Sequence, residues 1–232
     1  MKFIRKAPEP RLLRQWRLEN RRSPQNLSYQ NIPSKAKAEL RASLLEEQGH
    51  LCAYTMMRIS TAERGHIEHI FAQSSRPDLE VAYSNMVYCH PGDGASRCAY
   101  GAHCKDGKDV SRDVFVSPLE ESCEVRFAFD MTGAVKAQDA SDVPTMSTIE
   151  ILRLNDEQLK TARWAAIRQY PIFKRVEPRL TAAEARKLAS RVMRRDAEGR
   201  FPPFAVAVHQ VVFRYAERRA AEEAARPIRG SR

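Results

Sequence analysis

The sequence predicts an α+β fold that is mostly helical, with a small core of short strands, a β-hairpin and flanking helices. Val125, Phe127 and Phe129 share one face of a predicted strand, and a turn at residues 131–133 follows them, as in a hairpin. Over the last third of the chain, apolar residues recur at the spacing of amphipathic helices. Because 43% of the residues are hydrophobic, most of the chain is expected to fold around a core.

Residues 1–34 are predicted to form a basic arm that binds a partner or DNA. Prolines interrupt this segment, and between them lie the candidate nucleic-acid contacts Arg11, Arg14, Arg17, Arg21 and Arg22. Either a short helix over residues 12–19 or an extended, partner-bound segment fits the pattern. Ser34 is a suitable N-cap for a helix over residues 35–48, which Gly49 would end.

Short strands are predicted in the middle of the chain. Residues 50–60 and 65–71 are expected to form strands joined by a polar turn, and residues 85–89 are a further apolar piece. Residues 123–129 and 134–136 form the predicted hairpin.

Helices are predicted for the rest of the chain. Residues 147–170 are expected to form two helices with a break near Asn155, and Thr181 with Glu184 is a capping-box pattern that opens a third. Pro202 and Pro203 open a last helix that extends to about Ala225. These predictions divide the chain into three regions: the basic arm at 1–34, a core that includes the hairpin at 35–140, and a basic helical region at 141–232.

The charge is segregated along the chain. The formal net charge of +10 divides into +8 over residues 1–41, −8 over residues 42–152 and +10 over residues 153–232. Basic segments favour polyanions, since each phosphate contact releases counterions. Solvated arginine-rich helix faces explain the same excess. The acidic middle suits a divalent cation.

The longest apolar run covers residues 204–208, far below the ~20 residues that a membrane span needs. The N-terminus is charged before any apolar stretch can form, unlike an export signal. We therefore predict a cytoplasmic protein with no membrane partner. The five cysteines are odd in number, which in such a chain favours free thiols or metal ligands over disulfides.

The strongest chemical signal is the segment His66-Ile67-Glu68-His69. Strand alternation puts His66 and Glu68 on one face, and a bend would bring His69 to the same site. A carboxylate with imidazoles is a ligand set for a divalent ion, and a further histidine can act as a general base. Hydrolysis of a phosphodiester needs both functions. On these residues alone, a histidine-rich strand without such a role explains the pattern equally well.

Further motifs surround this segment: Cys52-Ala53-Tyr54-Thr55, Tyr83-Ser84-Asn85-Met86, Cys89-His90-Pro91-Gly92 and Gly101-Ala102 with a lysine nearby. In this order they resemble HNH endonucleases. More narrowly, they resemble the HNH subunits of Septu-type and retron-associated anti-phage systems. The resemblance spans roughly residues 40–170.

The resemblance implies a ββα-metal fold, in which two strands and a helix hold one divalent ion, Mg²⁺ or Mn²⁺, against the scissile phosphate. By position, His69 matches the general base, Glu68 the acidic metal ligand and Asn85 the asparagine that braces the loop bearing the base. The third motif position has two candidates for a metal ligand, His103 first and Asp106 second. Lys105 or Lys108 would touch phosphate, and His66 is predicted as a further metal ligand.

Proteins of this kind often carry a structural zinc ion bound by two cysteine pairs. Thr55 stands where a cysteine would complete the first pair. An irregular four-thiolate zinc site and a set of buried, unligated thiols are the alternatives for Cys52, Cys89, Cys98 and Cys104.

The resemblance implies a metal-dependent DNA endonuclease of low sequence specificity, acting as the effector of an anti-phage system. It also implies a partner, an ABC- or SMC-like ATPase that restrains the nuclease until infection. Two alternatives remain open: the same fold acting on RNA or tRNA, and a catalytically lapsed adaptor that binds nucleic acid or a partner.

Overall fold

The computed structural model describes residues 1–105, 110–111, 113–173 and 179–225. The fold is α+β: about 47% of the chain is helical, and two small two-stranded antiparallel sheets accompany the helices. The predicted fold class, α+β, is confirmed. Among the described helices, none combines the length and the apolar character that crossing a membrane requires.

The described helices are α1 (Arg11–Glu19), α2 (Ser34–Glu47), α3 (Ala102–Lys105), α4 (Cys123–Arg126), α5 (Val143–Ile151), α6 (Glu157–Arg168), α7 (Ala182–Val192) and α8 (Ala205–Ala224). The strands are β1 (His66–His69), β2 (Met86–Cys89), β3 (Phe127–Phe129) and β4 (Val135–Ala137). β1 pairs with β2, and β3 pairs with β4. α3 and α4 are single helical turns.

The N-terminal segment packs against the rest of the chain. α1 forms, so the helical alternative for this segment is correct. Leu13 and Trp16 are buried on α1, and Met1 joins the same hydrophobic cluster, which includes residues from all three predicted regions. Lys6 donates to Glu47 Oε1 at 2.5 Å, which ties the segment to the end of α2.

α2 and the residue after it position β2. Leu40 and Leu44 on α2 are fully buried. Gln48 then pairs with the edge of β2 through its side-chain amide, because Tyr88 N–H donates to Gln48 Oε1 at 2.7 Å and Gln48 Nε2 donates to Tyr88 O at 2.8 Å. The backbone of β2 is thereby satisfied on the side away from β1. Gly49 follows with a φ of 58° and ends the helix, as predicted.

The strand predicted over residues 50–60 does not form. A single bridge pairs Leu51 with Arg58, and between them the chain reverses tightly. A hydrogen bond of 3.0 Å from Met56 N–H to Cys52 O closes this reversal. Met56 has a φ of 62°, a left-handed conformation that interrupts strand pairing.

The predicted hairpin forms, but its first strand is shorter than expected. The chain at α4 is helical, and only β3 pairs with β4. Val125, expected on the same face as the buried phenylalanines of β3, is 69% exposed. The Arg126 guanidinium binds the Asp142 carboxylate at 2.5 and 2.8 Å, so α4 is fixed to the start of α5 rather than extended as a strand.

The predicted C-terminal helices form, but α5 begins at Val143 rather than at residue 147, and the last helix begins after Pro202 and Pro203 rather than at them. α5 and α6 lie on either side of Asn155, and the capping box of Thr181 and Glu184 opens α7. α8 begins at Ala205 and packs along α7. Phe204, with a φ of 55°, occupies the N-cap position of α8.

Candidate functional site

The β1–β2 sheet carries the central residues of the predicted site. The strands are antiparallel, with His66 opposite Cys89. Along β1, the side chains of His66 and Glu68 are 13% and 18% exposed, whereas Ile67 and His69 are buried. This alternation puts His66 and Glu68 on one face, as the strand period predicts.

His69 ends β1 and is 8% exposed. Its Nε2 lies 2.8 Å from the backbone oxygen of Glu80. Since a carbonyl oxygen can only accept, Nε2 carries the proton and Nδ1 keeps a lone pair, to which Gln73 donates at 3.3 Å. Burial lowers the pKa of His69 below its usual value. The ring is therefore neutral near physiological pH, and Nδ1 can accept a proton.

The N-terminal segment covers the His69 ring. The Tyr29 ring meets it edge to face, with centroids 5.1 Å apart and planes at 89°. Tyr29 N–H also donates to Glu80 Oε1 at 2.7 Å. Glu80 therefore bonds both the His69 ring and the Tyr29 backbone. Sequence reasoning assigns no role at the site to Glu80, Tyr29 or Gln73. Glu80 contacts His69 through its backbone oxygen, and a backbone contact cannot be predicted from the residue type. For Gln73, the only indication of its contact with His69 is that the two residues are four positions apart in the chain.

Asn85 closes the loop that follows β1. It is 2% exposed, and its Oδ1 accepts from Phe71 N–H at 2.8 Å. Its Nδ2 donates to Phe71 O at 3.1 Å and to Leu79 O at 3.3 Å. These bonds fasten both ends of the loop between His69 and Asn85, which is the bracing contact that the resemblance implies for this residue.

Replacing Asn85 with alanine is expected to lower the free energy of unfolding by about 3 kcal/mol, because three partly buried hydrogen bonds to the backbone, each contributing about 1 kcal/mol, are lost. Urea denaturation measures the change. Asn31→Ala is the matched control, since Asn31 is exposed and makes a side-chain bond to Asn26 O at 3.1 Å. Equal losses in the two variants would contradict the bracing role.

A buried ammonium faces Glu68. Lys105, at the end of α3, is 2% exposed, and its Nζ donates to Glu68 Oε1 at 2.7 Å and to His69 O at 2.6 Å. In this arrangement the ammonium is turned into the protein, and the contact of Lys105 or Lys108 with phosphate stays a prediction. A cation that binds Glu68 has to compete with this ammonium.

His66 and His103 lie side by side, with ring centroids 5.4 Å apart and planes at 23°. His66 Nδ1 lies 2.5 Å from Pro91 O, so Nδ1 donates and Nε2 keeps a lone pair. This Nε2 is 4.0 Å from Glu68 Oε2. His103 has the opposite arrangement: its Nδ1 accepts from Cys98 N–H at 2.9 Å, so Nε2 carries the proton.

Two of the predicted metal ligands fit a divalent ion. Glu68 offers carboxylate oxygens and His66 offers a free Nε2, and few protein ligands are usual where water and substrate phosphate complete the shell. His103 does not fit as a ligand in this arrangement, because its lone pair is already engaged. Among the described residues, no three or more His, Cys, Asp or Glu side chains are grouped to hold a metal ion. Asp106 and Lys108 lie outside the described residues.

The four cysteines predicted as zinc ligands differ in burial. Cys52 and Cys89 are buried free thiols in the core, and Cys52 Sγ accepts from His90 N–H at 3.4 Å. Cys98 and Cys104 are half-buried free thiols that line a pocket. The structural zinc site stays a prediction.

The basic residues predicted to bind nucleic acid lie on or just after α1. The exposed members of the set are Arg11, Arg14, Arg21 and Arg22. Arg17 is half-buried and pairs with Glu9 at 2.6 Å. The exposed arginines suit a polyanion, whereas the charge of Arg17 is balanced within the chain.

No protein-family model matches the chain, and no curated protein matches it.

Proposed function

We propose that the chain is a metal-dependent HNH endonuclease that hydrolyses phosphodiester bonds of DNA with low sequence specificity. The observation that carries the proposal is the state of His69. Its Nε2 donates to Glu80 O at 2.8 Å, which leaves Nδ1 as a neutral base, and Glu68 precedes it on the same strand. A base next to a carboxylate that can hold a cation is the pair that this hydrolysis needs.

His69 Nδ1 takes a proton from the attacking water. The Glu80 backbone oxygen fixes the ring and accepts a hydrogen bond from the imidazolium that forms. Gln73, which donates to Nδ1 in this structure, yields that position to the water. Asn85 keeps the connecting loop in place, so the Glu80 backbone oxygen stays in contact with the base.

Glu68 and His66 would hold the divalent ion, Mg²⁺ or Mn²⁺. When bound, the ion supplies Lewis-acid stabilisation of the charge that develops on the phosphate and the leaving oxygen. Before the ion binds, the Lys105 ammonium neutralises Glu68, so the carboxylate is not left unpaired beside a buried histidine.

The basic ends of the chain would attract the nucleic-acid backbone by charge, without reading bases, and low sequence specificity follows. Control by an ABC- or SMC-like ATPase, within an anti-phage system, belongs to the same proposal and is supported by the resemblance of the motifs. Cleavage of RNA or tRNA and a non-catalytic adaptor role are the competing functions.

The purified chain is expected to nick supercoiled plasmid DNA in Mg²⁺ or Mn²⁺ and to lose this activity in EDTA. Gel electrophoresis of the plasmid over time is the measurement, with tRNA and a long single-stranded RNA as parallel substrates. Cleavage of the RNA substrates but not of the plasmid would mean that the enzyme acts on RNA rather than on DNA. Absence of metal-dependent cleavage of every substrate would contradict the proposal and favour the adaptor.

A further inference from the structure

A pocket of about 540 Å³ opens beside the candidate centre, between the segment that leads into α3 and the end of α5. The lining residues that bear on its chemistry are Arg97, Cys98, His103, Cys104, Glu150 and Arg153. The pocket adjoins the centre through His103, whose ring stacks on His66 with centroids 5.4 Å apart. His66 in turn lies 4.0 Å from Glu68.

His103 gives the pocket a hydrogen-bond donor. Because its Nδ1 accepts Cys98 N–H at 2.9 Å, the neutral ring carries its proton on Nε2. A metal ion needs a lone pair, which this nitrogen lacks, whereas an anion accepts its N–H. The chemistry of His103 therefore favours an anionic ligand in the pocket.

Arg153 adds a guanidinium from a position where a side chain is unfavourable. It follows α5 with a φ of 47°, and Leu154 N–H donates back to Ile149 O at 2.9 Å. Helices that end in this way usually have glycine at the left-handed residue, because a side chain is strained there. Within the part of the chain that the structure describes, no ion pair involves the exposed Arg153 side chain.

Arg97 holds the His103 backbone, since its Nη2 donates to His103 O at 2.9 Å. Glu150 contributes a carboxylate to the lining. Among the described lining residues, the Arg153 guanidinium and the His103 Nε2–H are the donors offered to an anion, and a planar guanidinium matches the oxygens of a phosphate.

We propose that this pocket binds a backbone phosphate of the nucleic-acid strand, next to the phosphate that is cleaved. The inference rests on the proposed nuclease function and adds a substrate-positioning site to it. Holding a neighbouring phosphate at Arg153 and His103 fixes the strand relative to Glu68 and His66, so that charge and geometry, rather than base contacts, set the cleavage position.

The test measures binding of a fluorescein-labelled duplex DNA in EDTA by anisotropy, in a His69→Ala background that cannot cleave. Arg153→Gly removes the guanidinium and relieves the left-handed strain. We expect its melting temperature to rise by about 2–4 °C. We also expect the Kd to increase at least about fivefold and the slope of log Kd against log salt to fall by about one. Lys136→Ala, which removes an exposed cation on β4 outside both the pocket and the basic ends, is the matched control for charge, with a change below about twofold.

If both substitutions weaken DNA binding equally, the effect comes from net charge and the proposal is overturned. A lower melting temperature for Arg153→Gly would also overturn it, because the loss of binding would then come with damage to the fold. A labelled nucleoside triphosphate is the second probe. If Arg153→Gly weakens its binding but not that of the duplex, the pocket binds a free nucleotide instead. Since no step of this test requires cleavage, a wild-type chain that fails to cut DNA contradicts the nuclease function without affecting the pocket.

Discussion

Replacing His69 with alanine is expected to reduce metal-dependent DNA cleavage at least about 10³-fold, within the range that a general base contributes. The reason is that Nδ1 of His69 holds the lone pair that takes the proton from water, while Nε2 is committed to Glu80 O at 2.8 Å. Initial rates of plasmid nicking, measured at equal protein and Mn²⁺ concentrations, give the ratio directly.

The control for this substitution is His209→Ala. His209 is half-buried on α8 and its Nδ1 contacts Ala189 O at 3.0 Å, so both variants lose an imidazole that bonds a backbone oxygen. Circular dichroism and thermal unfolding establish that both remain folded. Cleavage that persists in His69→Ala at the rate of His209→Ala would exclude His69 as the base.

Replacing Lys105 with methionine is expected to tighten Mn²⁺ binding at least about tenfold, or 1.4 kcal/mol. Methionine keeps an unbranched side chain but removes the ammonium that donates to Glu68 Oε1 at 2.7 Å. The ion then meets a carboxylate without a competing cation. Without metal, the variant should melt at a lower temperature than the wild type, because Glu68 has lost its partner. Mn²⁺ should raise its melting temperature more than that of the wild type.

Isothermal titration with Mn²⁺, together with thermal unfolding, tests this expectation without any cleavage. Lys160→Met removes a lysine that pairs with Glu157 at 2.7 Å on α6 and should leave Mn²⁺ affinity unchanged. A Lys105→Met variant that binds Mn²⁺ as weakly as Lys160→Met would mean that the ammonium does not compete for the metal position.

Strand geometry made part of the site predictable. Alternation alone put His66 and Glu68 on one face, because the period of two is a property of the extended backbone. The position of Lys105 could not be derived in this way. Its ammonium reaches His69 O across 36 residues of sequence, and only the tertiary fold brings the two together.

Local signals also had limits in the rest of the fold. The capping box of Thr181 and Glu184 predicted the start of α7 correctly, because the contacts involved are four residues or fewer apart. The prediction of a strand over residues 50–60 was wrong. Met56 has a left-handed backbone there, which its residue type does not indicate. Likewise, the tautomer of His103 depends on Cys98 N–H, a backbone donor that spacing does not reveal.

In the proposed site, Glu68 and His66 hold a divalent ion beside the base His69. Anomalous diffraction from crystals of the chain grown with Mn²⁺ shows directly whether they do. We predict an anomalous peak in contact with the Glu68 carboxylate and His66 Nε2, with the Lys105 ammonium moved away from Glu68. Saturating Mn²⁺ with no peak there, and with the hydrogen bond between Lys105 and Glu68 intact, would contradict the account.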